Sequence, residues 1–304
     1  MPIETDRPRV GFVGLGVMGT PMSGHLADAG YDVTVFDIDP AAATALAAAK
    51  PAITVAVSPS ELAATSDIVI TMLPDGNVVR EAALGSDGLV HGFAAGSLLI
   101  DTSSSQPWIT AATAEALADE GVAMVDAPVS GAQWGAQAAE LVFMVGGAAG
   151  DVARARPLLE VLGRAVFHLG PLGSGHMMKS INNTVTAMTF QATLEGLALG
   201  VAAGLDPAVM NDVFNESTAG SWITTNHIGQ RILSRTFDDP FRLALMRKDV
   251  DIAIGLAEQL ELDLPMASLC ARSYREADAE FGEGSSLSDL ARWTERRVGV
   301  TISR

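Results

Sequence analysis

A short apolar run that ends in a glycine-rich turn sets the strongest constraint on this chain. Arg9-Val10-Gly11-Phe12-Val13 leads into Gly14-Leu15-Gly16-Val17-Met18-Gly19, and Pro21 to Leu26 continues with helix-like spacing of apolar residues. The order is strand, tight turn, helix start, with G-x-G-x-x-G across the turn. In a dinucleotide-binding fold Gly14 permits the turn, Gly16 admits the backbone to a pyrophosphate, and Gly19 lets the helix pack on the strand. The helix N-terminus adds unpaired N–H groups and a positive dipole end. Taken alone, the pattern also fits a turn that binds nothing.

The next element narrows the choice. Tyr31-Asp32-Val33-Thr34-Val35-Phe36-Asp37 reads as a second strand ending in an acid, 18 residues beyond Gly19. A carboxylate there accepts hydrogen bonds from the adenosine ribose and repels a 2′-phosphate. No Arg or Lys occurs from Ile38 to Ala49 to receive that phosphate, so the expected cofactor is NAD rather than NADP. The alternative is that Asp37 caps a helix beginning near Asp39 and Pro40.

The 304 residues, 48% hydrophobic, suffice for one large or two ordinary domains with real cores. A formal net charge of -17 disfavours nucleic acid and anionic membranes as partners, and obliges an anionic ligand to be held by local features. The single cysteine, Cys270, forms no internal disulfide and suits a reducing compartment. Pro2 to Arg7 carries charges of both signs and no apolar stretch, so no signal peptide is expected. Thr184 to Leu205 is strongly apolar but interrupted by Gln191 and Glu195, and reads as a buried helix rather than a membrane span. These features together describe a soluble cytoplasmic protein.

Apolar runs at 9–14, 33–37, 53–57, 68–73, 98–101, 124–128, 141–145 and 166–169 alternate with Ala-rich or amphipathic stretches such as 41–50, 59–64 and 108–121. Continuous apolar runs point to strands buried on both faces, hence an α/β, doubly wound parallel sheet of Rossmann type over residues 1–169. Residues 170–304 read as an all-α domain. A long helix over Ser174 to Gly204 is followed by helices over 207–215, 224–234, 244–260, 265–281 and 289–298. A helix of about thirty residues spans roughly 45 Å. Being apolar nearly all round, it is expected to bury a face in a homo-oligomer.

Lys179 falls in the first turns of that helix, with Asn183 four residues on and therefore on the same face. A lysine among apolar residues is costly unless paired or deprotonated, and a poised amine can relay an alcohol proton during hydride transfer. The alternative is a lysine that snorkels to solvent. Asp126 to Ala136 follows a strand and includes Ser130, Gly131 and Ala132. Such a segment can present N–H groups to a carboxylate, or be merely a tight turn. His25, His91, His168, His176 and His227 show no metal-ligand spacing with acids or Cys270, so no metal is expected, and His176 reads as structural.

Phe12 to Leu26, Asp126 to Gly131, Lys179-x-x-Asn182-Asn183 and Leu245-Met246-Arg247-Lys248-Asp249 resemble, in order and over nearly the whole chain, the β-hydroxyacid dehydrogenases of the 3-hydroxyisobutyrate dehydrogenase type. The resemblance implies a dehydrogenase of a short-chain 3-hydroxy acid with Lys179 as its acid/base. Ser130, Gly131 and Asn183, with the N–H of Ala132, would hold the substrate carboxylate. Gly14, Leu15, Gly16, Val17, Met18, Gly19 and Asp37 would bind NAD together with Leu73, Pro74, Asn77 and Ser104. Lys248 would reach the cofactor from the helical domain, through which family members form dimers or tetramers.

Two departures bear on the substrate. Ala132 stands where the family usually has a second glycine, and Ala139-Glu140 replaces its common Gly-Thr. Other readings compatible with the pattern are a reductase of a small aldehyde acid, of tartronate or succinic semialdehyde type, and a non-catalytic oligomeric scaffold. Imine reductases share the architecture but usually lack the lysine. A scaffold needs neither Lys179 nor Asn183. Trp222 either walls the pocket or packs between helices.

Overall fold

Strands of three or four apolar residues, each followed by a helix, build the first part of the chain in the computed structural model, which describes residues 7–303. The segment read for a signal peptide lies, apart from Arg7, outside the described residues. Two units separate at Lys179/Ser180, inside one helix.

In the first unit the order is β1 Val10–Val13, α1 Gly19–Asp28, β2 Val33–Phe36, α2 Pro40–Ala49, β3 Ile53–Val55, α3 Pro59–Ala64, β4 Ile68–Thr71, α4 Gly76–Leu84, β5 Leu98–Asp101 and α5 Pro107–Ala118. There follow β6 Ala123–Asp126, β7 Val129–Ser130, α6 Ala132–Ala138, β8 Leu141–Gly146, α7 Ala149–Leu162 and β9 Gly163–Gly170. The sheet runs β3-β2-β1-β4-β5-β6-β8-β7, with β9 beside β8. Pairs from β3 to β6 are parallel, as is β8 with β9, while β8 runs antiparallel to β6 and β7. This is a Rossmann order, extended by an edge whose strand direction an apolar run does not encode.

Alternation within each buried strand feeds two cores. Val10, Phe12, Val33, Val35, Ile68, Ile70, Leu98 and Ile100 pack on one face, and Val13, Val69 and Leu99 join Leu62 and Leu117 on the other. Helix starts are chemically marked. Asp39 caps α2 before Pro40, Ser58 caps α3 before Pro59, and Asp75 accepts from the N–H groups of Asn77 and Val78 at α4.

The long helix is α8, Ser174–Ala202, of 29 residues. After it the second unit holds α9 Pro207–Asn215, a π-helical segment Thr224–Leu233, α10 Leu243–Gln259, α11 Pro265–Phe281 and α12 Asp289–Val298. Ala187, Phe190, Leu194, Leu197 and Ala198 of α8 enter a core with Ile228, Val250, Tyr274, Leu290 and Trp293, while Ile181, Val185 and Leu199 stay exposed. Cys270 is buried in this core. By length and composition α8 could cross a membrane, at a mean hydropathy of 1.2 over its most apolar window, but 39% of that window is buried inside the protein.

Candidate active site

The β1–α1 turn carries the three glycines, two of them required sterically by the protein itself. Gly14 has φ +96°, a left-handed conformation that favours glycine, and a Cβ there would overlap the carbonyl oxygen of Met72. A Cβ on Gly19 would overlap the carbonyl oxygen of Gly14, whereas Gly16 faces open space. No side chain caps α1 and its first turn contains no acid. An open backbone at an uncapped helix N-terminus fits a pyrophosphate. Val17 is exposed, whereas Leu15 and Met18 pack into the core.

Asp37 follows β2 and is half-buried. One carboxylate oxygen accepts the Leu15 N–H at 2.6 Å and the other the Asp39 N–H at 2.8 Å. The α2 cap itself is Asp39, which accepts from Ala41 at 3.0 Å. Asp37 therefore braces the glycine turn, and the capping role falls to its neighbour two residues on.

Two further loops leave the same edge of the sheet. Leu73, after β4, donates its N–H to Ser103 Oγ at 2.9 Å, and Thr102 donates to the carbonyl of Thr71 at 2.9 Å. Leu73 and Ser104 are half-buried, and Pro74 and Asn77 are exposed. Asn77 sits in the first turn of α4. Crossing from β1 to β4 reverses the strand order, so these loops lie at the switch point where such sheets bind ligands.

Ser130 ends β7, and α6 starts immediately after. Gly131 has φ +134° and Ala132 φ +53°, so two successive residues take positive φ. The segment, left open between a carboxylate-binding turn and a merely tight one, makes a left-handed kink into a short helix. The alanine pays a steric cost there that glycine would not. Trp134, on α6, is exposed.

The start of α8 is held by Asp126, the last residue of β6. Its two oxygens accept the N–H groups of Gly173 at 2.7 Å and His176 at 2.8 Å. A carboxylate in this place satisfies orphan amides and complements the dipole. Lys179 follows within the second turn, half-buried. Asp126 and His176 were legible only as residue types, since 50 residues separate them. The one clue is that β5 and β6 both end in an acid after apolar residues.

In the second unit the buried amide of Asn183 donates to Asp249 Oδ2 at 2.6 Å, and Asn182 donates to Asn183 Oδ1 at 3.1 Å. Lys248 Nζ lies 3.5 Å from Asp249 Oδ1. Asn183, Lys248 and Asp249 thus meet, a grouping the separate motifs did not reveal. Trp222 is exposed, and its ring lies 6.5 Å from that of His227, five residues on in the same helical stretch. Burial pushes the His227 imidazole below its ordinary pKa despite Asp239 at 3.1 Å, and Arg231 acts in the same direction as burial.

Residues 9–170 match the family described as the NAD binding domain of 6-phosphogluconate dehydrogenase, and residues 173–294 that described as the NAD-binding domain of NADP-dependent 3-hydroxyisobutyrate dehydrogenase. The chain is 38% identical to a 3-hydroxyisobutyrate dehydrogenase of Pseudomonas aeruginosa over 290 residues, 92% of this chain and 96% of the relative. It is 37% identical to an NAD-dependent L-serine dehydrogenase of the same organism, covering 88% and 91%. The solved structure of Mycobacterium tuberculosis 3-hydroxyisobutyrate dehydrogenase with L-serine superposes with a TM-score of 0.85 at 33% identity, covering 94% of this chain and 98% of that one. Motif order, sheet topology and full-length likeness agree, and the chain belongs to the β-hydroxyacid dehydrogenase family, nicotinamide-dependent oxidoreductases that act on the CH–OH group of their donors.

Proposed function

We propose that this enzyme oxidises a short-chain 3-hydroxy acid, of the 3-hydroxyisobutyrate or L-serine type, to the semialdehyde or keto acid with NAD. The observation that carries the proposal is Lys179, half-buried on a helix whose start is pinned by Asp126, with Asn183 one turn further on. A bound nicotinamide dinucleotide supplies the hydride acceptor. Lys179 takes the alcohol proton at Nζ, while Ser130, the N–H groups of Gly131 and Ala132, and the Asn183 amide hold the carboxylate. Gly14 to Gly19 receive the pyrophosphate and Asp37 the ribose, which favours NAD over NADP. Leu73, Pro74, Asn77, Ser104 and Lys248 complete the cofactor's surroundings.

The protein is, on this proposal, a cytoplasmic homo-oligomer without nucleic-acid or membrane partners. The exposed Ile181, Val185 and Leu199 of α8, the lone cysteine and the net charge of -17 support it. A second direction has its own support: the chain is 34% identical to a 2-hydroxy-3-oxopropionate reductase of Escherichia coli over 287 residues. The test is a screen of C3–C5 hydroxy acids with NAD, following absorbance of the reduced cofactor. Turnover of 3-hydroxyisobutyrate or L-serine is expected. Higher kcat/KM for reducing 2-hydroxy-3-oxopropionate than for any oxidation supports the second direction, and no turnover either way refutes both.

A further inference from the structure

His176 has no part in the chemistry above, yet it is one of the most completely enclosed polar side chains of the first unit, 1% exposed. Its Nδ1 lies 2.8 Å from Thr110 Oγ1 on α5, and its Nε2 lies 3.2 Å from the carbonyl oxygen of Ser103. A carbonyl only accepts, so Nε2 carries a hydrogen. Around the ring stand two fully buried carboxylates, Asp101 Oδ2 at 3.6 Å from Nε2 and Asp126 Oδ2 at 3.7 Å from Nδ1. These acids are register partners at the ends of β5 and β6. Asp101 also accepts from Thr71 Oγ1, the Ser103 N–H and Ser105 Oγ at 2.9 to 3.0 Å.

The imidazole therefore bolts the first turn of α8 to the Ser103–Ser105 loop, to α5 and, beside Asp101, to the sheet edge. Lys179 comes three residues later, about 4.5 Å along the helix axis. Slippage of that first turn carries the amine with it, and a misplacement of about 1 Å can cost up to 10²-fold in rate. We propose that His176 is a positioning residue that fixes the Lys179 amine relative to the Ser103–Ser105 loop. This rests on Lys179 being the acid/base, and its test also has a readout independent of turnover.

The chain has three lysines, Lys50, Lys179 and Lys248, so competitive labelling with trace acetic anhydride followed by peptide mass spectrometry compares them in one sample. In His176→Leu the Lys179:Lys50 ratio is expected to change by about threefold or more and kcat to fall about tenfold or more, with Lys248:Lys50 and the KM for NAD little altered. His176→Gln, which keeps a donor for Ser103, should recover part of both. A folded His176→Leu protein with wild-type labelling and wild-type kcat overturns the proposal, as does an equal change at all the lysines. If His176→Leu does not fold, Thr110→Val keeps the ring and removes its Nδ1 partner. A shift at Lys179 alone supports the proposal, and none overturns it. Undiminished turnover in Lys179→Ala would remove the functional reading instead, leaving the labelling result as it stands.

Discussion

At the scale of single residues, Asp37 is the most exacting test of cofactor choice. Both carboxylate oxygens already brace the backbone, so the group is fixed in place and its charge cannot swing away from a 2′-phosphate. NAD is expected to give the higher kcat/KM, and steady-state kinetics showing parity with NADP refute this. Asp37→Ser with Ile38→Arg, the latter at a position 93% exposed, should move preference toward NADP. Lys179→Ala should lower kcat by roughly 10²–10⁴, the usual range for a positioned acid–base group, with NAD affinity nearly unchanged. Near wild-type turnover would exclude the amine from the reaction. Asn183→Ala should raise KM and also cost turnover, because a loose carboxylate lets the reacting C–H bond drift. Gly14, Gly19, Lys179 and Asn183 were legible because each belongs to a local pattern with its own steric or electrostatic reason. The clasp of Asp126 on Gly173 and His176, and of Asp249 on Asn183, was not: spacing along the chain carries no record of which distant residues will meet.

At the scale of elements, periodicity located what it physically encodes. Pro207–Asn215, Pro265–Phe281 and Asp289–Val298 have the bounds expected from their apolar spacing, the first two opening on a proline. Continuous apolar runs pointed rightly to a parallel sheet from β3 to β6 but not to the reversal of β8, because burial on both faces looks the same in either sense there, and β7, with two residues, is too short to show a period. The segment Thr224–Leu233 was expected as an ordinary helix and winds as a π-helix instead. It holds His227, whose buried imidazole resists protonation in the folded state while the unfolded chain protonates near 6.5. The unfolded state therefore binds more protons as pH falls below that value, and stability drops by at most about 1.4 kcal/mol per pH unit from this group. Urea midpoints at pH 7.5 and 5.5 should fall further for the wild type than for His227→Gln. Equal losses in the two proteins would contradict the assignment.

At the scale of the whole molecule, α8 offers Ile181, Val185 and Leu199 to solvent on a helix whose Ala187, Phe190, Leu194, Leu197 and Ala198 fill a core. Light scattering at micromolar concentration should give at least twice the 31.5 kDa chain mass, and a value near 31.5 kDa refutes assembly. Val185→Glu should lower the mass, since a charge is costly in an apolar interface. The lone cysteine has a consequence of a different kind. Burial raises the Cys270 thiol to about 12, so an alkylating reagent meets almost no thiolate until the helical unit opens. The protein thus carries its own clock: the rate at which this sulfur is trapped reports opening of the helical core and is silent about the nucleotide-binding half, which has no cysteine. With Trp222 and Trp293 of the helical half replaced by phenylalanine, Trp108 and Trp134 report from the other half alone, so fluorescence and thiol trapping, followed together in denaturant, reveal whether the two halves melt as one cooperative body or in succession.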